Sequence, residues 1–401
     1  VDFPFSRLRR WPDVEAENLQ AHDVTDLLLV ERALAVHAGG GARGAEIAVI
    51  GDEYGAITLA LTAAGLGGVR VHQDLVTGRR ALARNASELA LSGFVPHELD
   101  ASLLSDARLV LLQLPKSLAE LEEITDAVAR WAASDVVLLA GGRVKHMTLA
   151  QNEVLGRGFA RVQAERAVRK SRLVVASDPR DVPAIRPFPV SADHDGLTLV
   201  AQGGAFAGAK LDIGTRVLLE VLGLGRSQIR KNGCESGETG SAASDSCHRS
   251  GVVNDAAVQT VVDLGCGTGA LAASYALAHP EARVIATDRS AAAVASARAT
   301  VAANGVADRV TVTLDDAGSD LPDGIADVVL LNPPFHLGTS VHTGAATRLF
   351  EAAARLLRPG GELFTVYNSS LGYRAELTRL VGPTEQLDRT PKFTVARSVR
   401  R

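Results

Sequence analysis

Cysteine is scarce in this sequence. Cys234, Cys247 and Cys266 are the three among 401 residues, and they do not make a disulfide framework. Aromatic residues are few, at 4%, yet the 46% hydrophobic content is enough to bury sizeable cores. No apolar run reaches the roughly eighteen residues of a membrane span. The opening residues, VDFPFSRLRRWPD, carry no apolar signal core. A cytoplasmic, monomeric protein with no membrane partner is therefore the expectation. Charge is also nearly balanced, at −4 net. That argues against a wholesale polyanion binder while leaving room for a local basic patch.

What is present is alternation. The length suggests two domains or three. Strand-like apolar runs alternate with amphipathic stretches: TVVDLG, GALAASYALAH, ARVIATD and AAAVASARATVAANG, then RVTVTL, ADVVLLN, TRLFEAAARLLRPGG and ELFTVYN. Strands alternating with helices predict an α/β fold with a parallel, doubly wound sheet. The first half reads the same way, from AEIAVIG to SDVVLLAGG. Laying VIGDEYGA (49–56) on DLGCGTGA (263–270) aligns Gly51 with Gly265 and Gly55 with Gly269. Asp74 follows Gly55 by nineteen residues, as Asp288 follows Gly269. The equal offsets point to an internal duplication, with domains at 1–190 and 200–401. Residues 226–257, rich in Gly, Ser, Asp and Asn, cannot fill a core and read as a mobile insertion. Cys234, Cys247 and His248 lie within it. Neither cysteine has a partner at ligand spacing, so a solvated loop is favoured and no metal is expected.

Two motifs in the second half carry chemistry. VVDLGCGTGALA places Gly265, Gly267 and Gly269 between a strand and a helix. Such a turn admits close approach of a ligand and presents backbone N–H groups to it. It is neither the G-x-G-x-x-G dinucleotide fingerprint nor a P-loop. Asp288 ends the next strand, where a carboxylate can hydrogen-bond both ribose hydroxyls. Further on, LLNPPFHLG stops a buried strand on Asn332 and stiffens it with Pro333 and Pro334, which cannot donate to a ladder.

Together with LDDAG (314–318), these motifs resemble those of the class I, Rossmann-like S-adenosyl-L-methionine methyltransferases. The resemblance implies that Asp263 helps hold the methionine end of the cofactor and that Asp316, or less favourably Asp315, contacts the adenine. It also implies that Asn332, Pro333, Pro334 and Phe335 form the catalytic tetrapeptide. Enzymes with this tetrapeptide methylate a nitrogen conjugated with a planar π-system. The Asn332 side-chain oxygen and the Pro333 carbonyl would accept from its N–H bonds and aim its lone pair at the methyl group. The prolines fix those acceptors in advance, and Phe335 offers a stacking face. His336 is read as structural or ligand-positioning rather than as a base.

The segment GGAFAGAKLDIGTRVLLEVL (203–222) narrows the resemblance to the bacterial rRNA guanine-N2 methyltransferases. Phe206, Asp212 and Gly214 match the family pattern on the cofactor side, as does Arg216, whereas Ala207 stands where the family has Ser. In the first half, LQAHDVTDLLL, LPKSLAELEE, RVKHMTLAQ and AVRKSRLVVA resemble the large-subunit (23S) branch of the family. The resemblance implies two tandem methyltransferase domains, the first degenerate, and methylation of a guanosine N2 in 23S rRNA or a ribosomal subunit precursor. The same reaction on 16S rRNA is the alternative within the family. A catalytically inactive RNA-binding assembly factor is the alternative from another class. In the first half Glu53 replaces the middle glycine and QLPK (113–116) replaces NPPF, so that domain is expected to bind no cofactor and to serve RNA recognition. Arg161, Arg166, Arg169, Lys170 and Arg172 are its candidate RNA contacts, although a solvated face explains such a cluster about as well.

Overall fold

The computed structural model describes residues 2–224, 258–334 and 343–401. The expected insertion at 226–257 with Cys234, Cys247 and His248, together with Phe335 and His336, lies outside the described residues. The chain divides into two compact units. The first comprises Val1–Val190, Gln202–Ala205 and Ser290–Ala292; the second comprises Ser191–Ala201, Phe206–Arg289 and Ala293–Arg401.

The first unit is built on seven strands: β1 (Ile47–Ile50), β2 (Val69–His72), β3 (Phe94–Pro96), β4 (Leu109–Gln113), β5 (Val137–Arg143), β6 (Phe159–Ala164) and β7 (Ser171–Pro179). They lie in the order β3-β2-β1-β4-β5-β7-β6. The first five are parallel, and β7 and β6 close the edge antiparallel. A short ribbon follows, β8 (Val190–His194) and β9 (Leu197–Ala201). The second unit repeats the design with β10 (Thr260–Leu264), β11 (Arg283–Asp288), β12 (Val310–Leu314), β13 (Ala326–Leu331), β14 (Leu357–Asn368), β15 (Thr384–Arg389) and β16 (Phe393–Val399). Their order is β12-β11-β10-β13-β14-β16-β15, the same permutation as in the first unit. Here too five strands are parallel and the last two antiparallel. The sheets are therefore mixed rather than purely parallel. Hairpin return of the last strand needs only a short turn, whereas a parallel strand needs a crossover.

Burial on both faces explains the composition of the central strands. In β1 all four residues of IAVI are buried. Ile47 and Val49 pack with Leu29, Ile57 and Leu59 on one face, and Ala48 and Ile50 with Leu103, Leu121 and Val128 on the other. In β13, Val328 and Leu330 face one core, while Val329 and Leu331 join Phe350 in the other. A strand covered on both faces reads as a continuous apolar run, and each fully buried Leu or Val adds about 1.5–3 kcal/mol. One boundary differs from the sequence expectation. The helix expected to run through Arg358-Pro359-Gly360-Gly361 ends at Leu356, and β14 begins at Leu357. Pro359 cannot extend a helix, and Gly360 takes the left-handed conformation at φ 78°.

Candidate active site in the second unit

The site lies at the C-terminal ends of β10, β11 and β13, where open α/β sheets place their ligands. β10 ends on Leu264 and the chain turns through Gly265, Gly267 and Gly269, all left-handed at φ 76°, 54° and 77°. Gly269 precedes the helix Ala270–Ala278. A Cβ on Gly269 would stand 3.0 Å from Ala297, so this glycine serves close packing. A Cβ on Gly265 or Gly267 would meet nothing within 4 Å. These two glycines border open space, which a side chain would partly fill.

The turn differs from expectation in one respect. The glycine pattern suggests N–H groups offered to a ligand, yet four of them are already engaged. Gly265 and Cys266 donate to the Thr287 carbonyl at 2.8 and 3.0 Å, and Gly269 donates to the Cys266 carbonyl at 2.8 Å. Gly267 donates to Asp288 Oδ2 at 2.9 Å. The neighbouring parallel strand brings one of its last carbonyls and its terminal acid against the turn. What these glycines supply is close approach, and Asp288 is tied to the loop it serves.

Asp263 sits beneath the turn and is 1% exposed. Its Oδ2 accepts from Ala272 N at 2.9 Å, while Oδ1 is buried with no hydrogen-bond partner. Burial pushes its carboxyl up to about 7, opposed by the bond from Ala272 and assisted by the charge of Asp288. A buried acceptor lacking a donor is costly alone and suited to a cationic ligand group. Burial also drives the Cys266 thiol well above its ordinary value, with the charges of Asp288 and Asp263 adding to the effect, so the free thiol stays protonated.

Asp315 and Asp316 part company. Asp315 Oδ1 accepts from Asp316 N at 2.7 Å and Ser319 Oγ at 2.6 Å, and Oδ2 accepts from Asp320 N at 2.8 Å. It shapes its own turn. Asp316, of the two the one expected at the adenine, is buried and ion-paired with Arg348 from the helix Thr343–Leu356. Nothing in the sequence pattern signals Arg348, because the pairing spans 32 residues.

Asn332 follows β13 directly. Its Nδ2 donates to Asp212 Oδ2 at 3.0 Å and to Thr215 Oγ1 at 2.9 Å. Its Oδ1 is buried and has no partner. Asp212 also caps the helix Ile213–Val221, accepting from Thr215 N at 3.2 Å. Asp212 and Gly214, expected on the cofactor side, thus stand against the tetrapeptide: a Cβ on Gly214 would lie 3.1 Å from Asp212 Oδ2 and 3.3 Å from Asn332 Oδ1. Thr215 escapes the sequence reading, although the Asp-x-x-Thr spacing of a helix start is there to find it. Phe206 is 72% exposed, ahead of left-handed Ala207 and Gly208.

These features fit S-adenosyl-L-methionine, as an orphaned carboxylate oxygen and a cradle open at Gly265 and Gly267 require. Among the described residues no group of three or more His, Cys, Asp or Glu could hold a metal ion. No described helix is long and apolar enough to cross a membrane.

In the first unit the basic candidates also divide. Arg161 is engaged by Asp178. Arg166, Arg169 and Lys170 are exposed, and Arg169 and Lys170 form a two-residue hairpin turn closed by bonds between Val168 and Ser171 at 2.8 and 2.9 Å. Both are left-handed, at φ 47° and 67°, where tight hairpins favour Asn-Gly. Arg172 is half-buried with its Nε unpartnered.

Residues 2–180 match the RLMG N-terminal domain family, and residues 250–397 match the Methyltransferase small domain family. A relative from Stutzerimonas stutzeri named Ribosomal RNA large subunit methyltransferase G is 33% identical, covering 100% of this chain and 99% of its own. A relative of the same name from Streptomyces coelicolor is 32% identical, covering 98% and 97%. Among solved structures, a T. thermophilus 16S rRNA N2 methyltransferase in complex with AdoMet and guanosine has the same fold. Its TM-score is 0.71 at 22% identity, with 95% of this chain and 92% of that chain covered. Both halves and nearly the full length are thus accounted for, and the chain belongs to the ribosomal RNA large subunit methyltransferase G family.

Proposed function

We propose that this enzyme methylates the exocyclic N2 of a guanosine in 23S rRNA, using S-adenosyl-L-methionine. The observation that carries the reading is the Asn332 carboxamide. Both of its N–H bonds are engaged by Asp212 and Thr215, and its oxygen is buried, fixed and without a donor. A conjugated exocyclic amine is a weak nucleophile because its lone pair is delocalised into the ring. An acceptor held in advance on one of its N–H bonds raises electron density on nitrogen and orients the lone pair, with no reorganisation at the moment of transfer. The Pro333 carbonyl is the second acceptor, stiffened by two prolines that cannot join a ladder.

The cofactor, when bound, supplies a methyl group on a sulfonium, so the new N–C bond forms as the S–C bond breaks and its electron pair stays on sulfur. Asp263 Oδ1 is matched to the α-ammonium of the methionine end. Gly265 and Gly267 leave room for close approach, Asp288 would hold the ribose hydroxyls, and Asp316, paired with Arg348, would border the adenine. The nitrogen becomes cationic on methylation and acidic enough to release its proton to water, so no strong base is required. Relatives matching end to end carry a large-subunit name, which favours 23S over 16S rRNA. The exposed cations at Arg166, Arg169 and Lys170 support a role of the first unit in holding RNA through phosphates.

The test is a map of N2-methylguanosine in rRNA from cells with and without this protein. The expected result is one 23S guanosine that loses its methyl group when the protein is absent and regains it when purified protein and cofactor are added. Modification appearing in 16S rRNA instead would move the substrate to the small subunit. Cofactor binding with no methylation of either RNA would favour an assembly factor.

A further inference from the structure

We propose that Asp212 and Thr215 are positioning residues that set the orientation of the Asn332 carboxamide; the inference rests on the reading above. A primary carboxamide has two nearly isosteric orientations, differing by exchange of oxygen and NH2. Only one presents an acceptor to a substrate amine. In the other, the NH2 group would face that amine and repel its N–H bonds.

The surroundings choose between them. Asp212 Oδ2 lies 3.0 Å from Asn332 Nδ2, and an ionised carboxylate only accepts. Turning the amide over would set oxygen against oxygen with no hydrogen between. Thr215 Oγ1, at 2.9 Å, takes the second N–H. The two acceptors belong to one helix start, because Asp212 caps Ile213–Val221 and Thr215 closes the cap through its own N–H at 3.2 Å. Helix position and amide orientation are therefore set by the same carboxylate. Gly214 completes the arrangement, since a side chain there would enter between Asp212 Oδ2 and Asn332 Oδ1.

The first unit holds a relic of this arrangement. Gln113 stands at the place of Asn332, and its Nε2 donates to Asp26 Oδ1. Asp26 lies three residues after Asp23, the cap of the helix Val24–Ala38, as Thr215 lies three after Asp212. A helix-start acceptor holding a strand-end amide thus recurs in both units.

Steady-state methylation of deproteinised 23S rRNA, prepared from cells lacking this protein, tests the proposal in Thr215→Val, Thr215→Ser and Asp212→Ala, each with Asn332 intact and with Asn332→Ala. Positioning through Asn332 predicts that Thr215→Val lowers kcat by about tenfold and Asp212→Ala by more, as for residues acting as one unit. KM for the cofactor stays near that of the parent, and Thr215→Ser restores most of the rate. In the Asn332→Ala background each change adds less than about twofold. A raised cofactor KM, or an undiminished effect in that background, would overturn the positioning role alone. An Asn332→Ala enzyme of normal turnover would overturn both this inference and the methyl-transfer reading beneath it.

Discussion

In the first unit, the carboxylate of Asp52 accepts from Ile57 N at 3.2 Å and from Thr58 N at 2.7 Å, one oxygen to each. In the second unit Cys266 stands at the place of Asp52, and the acid that reaches the equivalent helix turn, at Ala272, is Asp263 from the strand below; it uses a single oxygen and keeps the other buried without a partner. The same contrast repeats at the strand ends. Leu114 N, following Gln113, donates to the Gly141 carbonyl at 2.8 Å, whereas Pro333 at the matching place has no N–H to give. A Cβ on Gly51 would meet Gln113 at 3.3 and 3.4 Å, while one on Gly265 would meet open space. Both glycines are nonetheless left-handed, and each donates to the neighbouring strand, to His72 and Thr287.

The fold was therefore copied, and the difference lies in which polar atoms were left wanting. At its turn the first unit provides partners for both oxygens of Asp52 and for the Tyr54 hydroxyl. Tyr54, near the turn, donates to Asp13 at 2.9 Å, and Arg10 lies over its ring at 4.6 Å. Asn85 ties the Tyr54 carbonyl to Arg9. The N-terminal segment thus packs against the turn. Unsatisfied buried acceptors cost stability; Asp263 Oδ1 and Asn332 Oδ1 are two such atoms in the second unit, and a ligand donor would offset that cost.

The largest effect expected from breaking this contrast is at Asn332. Asn332→Ala should lower turnover by roughly 10²–10³ with cofactor affinity near normal, the scale of losing one preorganised polar group. Gln113→Ala, its counterpart, should leave turnover close to that of the parent. Rate measurements on the two variants would undo the assignment if their effects were alike. Next, Asp288→Ala should weaken cofactor binding by about 1.5–3 kcal/mol, the scale of hydrogen bonds to charged groups; titration calorimetry reporting an unchanged Kd would remove Asp288 from the site.

A third test uses pH. The carboxyl of Asp263, raised to about 7, holds a proton in the folded chain that it would release at ordinary carboxylate values when unfolded. Its contribution to stability therefore falls as pH rises through that window and levels off above about 7. A cationic ligand group prefers the ionised form, so cofactor affinity should climb by about tenfold from pH 6 toward pH 8. Asp263→Asn should flatten that dependence, and an equally steep profile in the variant would assign the proton elsewhere. The smallest effect belongs to the hairpin of the first unit. Reversing Arg169, Lys170 and Arg172 to Glu should weaken RNA binding and reduce the salt slope by about two to three, near 0.7–0.9 for each phosphate no longer neutralised. An unaltered slope would show that these cations face water.

Much of this is legible in the sequence because it is local. Glycines at Gly265, Gly267 and Gly269, the strand-end acids Asp263 and Asp288, and the double proline after Asn332 each announce a turn, a cap or a stop within a few residues. The duplication is legible as equal spacing. What stays hidden depends on interactions between distant segments. The partner of Asp316 is Arg348, that of Asn332 is a helix start more than a hundred residues earlier, and Arg161 is engaged by Asp178. The antiparallel edge strands escape the sequence for the same reason, since pairing direction is not a local property. The turn N–H groups differ from expectation because glycine spacing does not tell which carbonyl the next strand brings alongside.

If one crevice of two was kept for the cofactor, the stoichiometry of S-adenosyl-L-methionine binding to the full-length chain will show it. Calorimetric titration should give one site per chain, weakened by roughly ten- to 150-fold in Asp288→Ala. Two sites per chain, or one site of full affinity surviving that substitution, would show that the first unit also binds the cofactor or that Asp288 does not hold it.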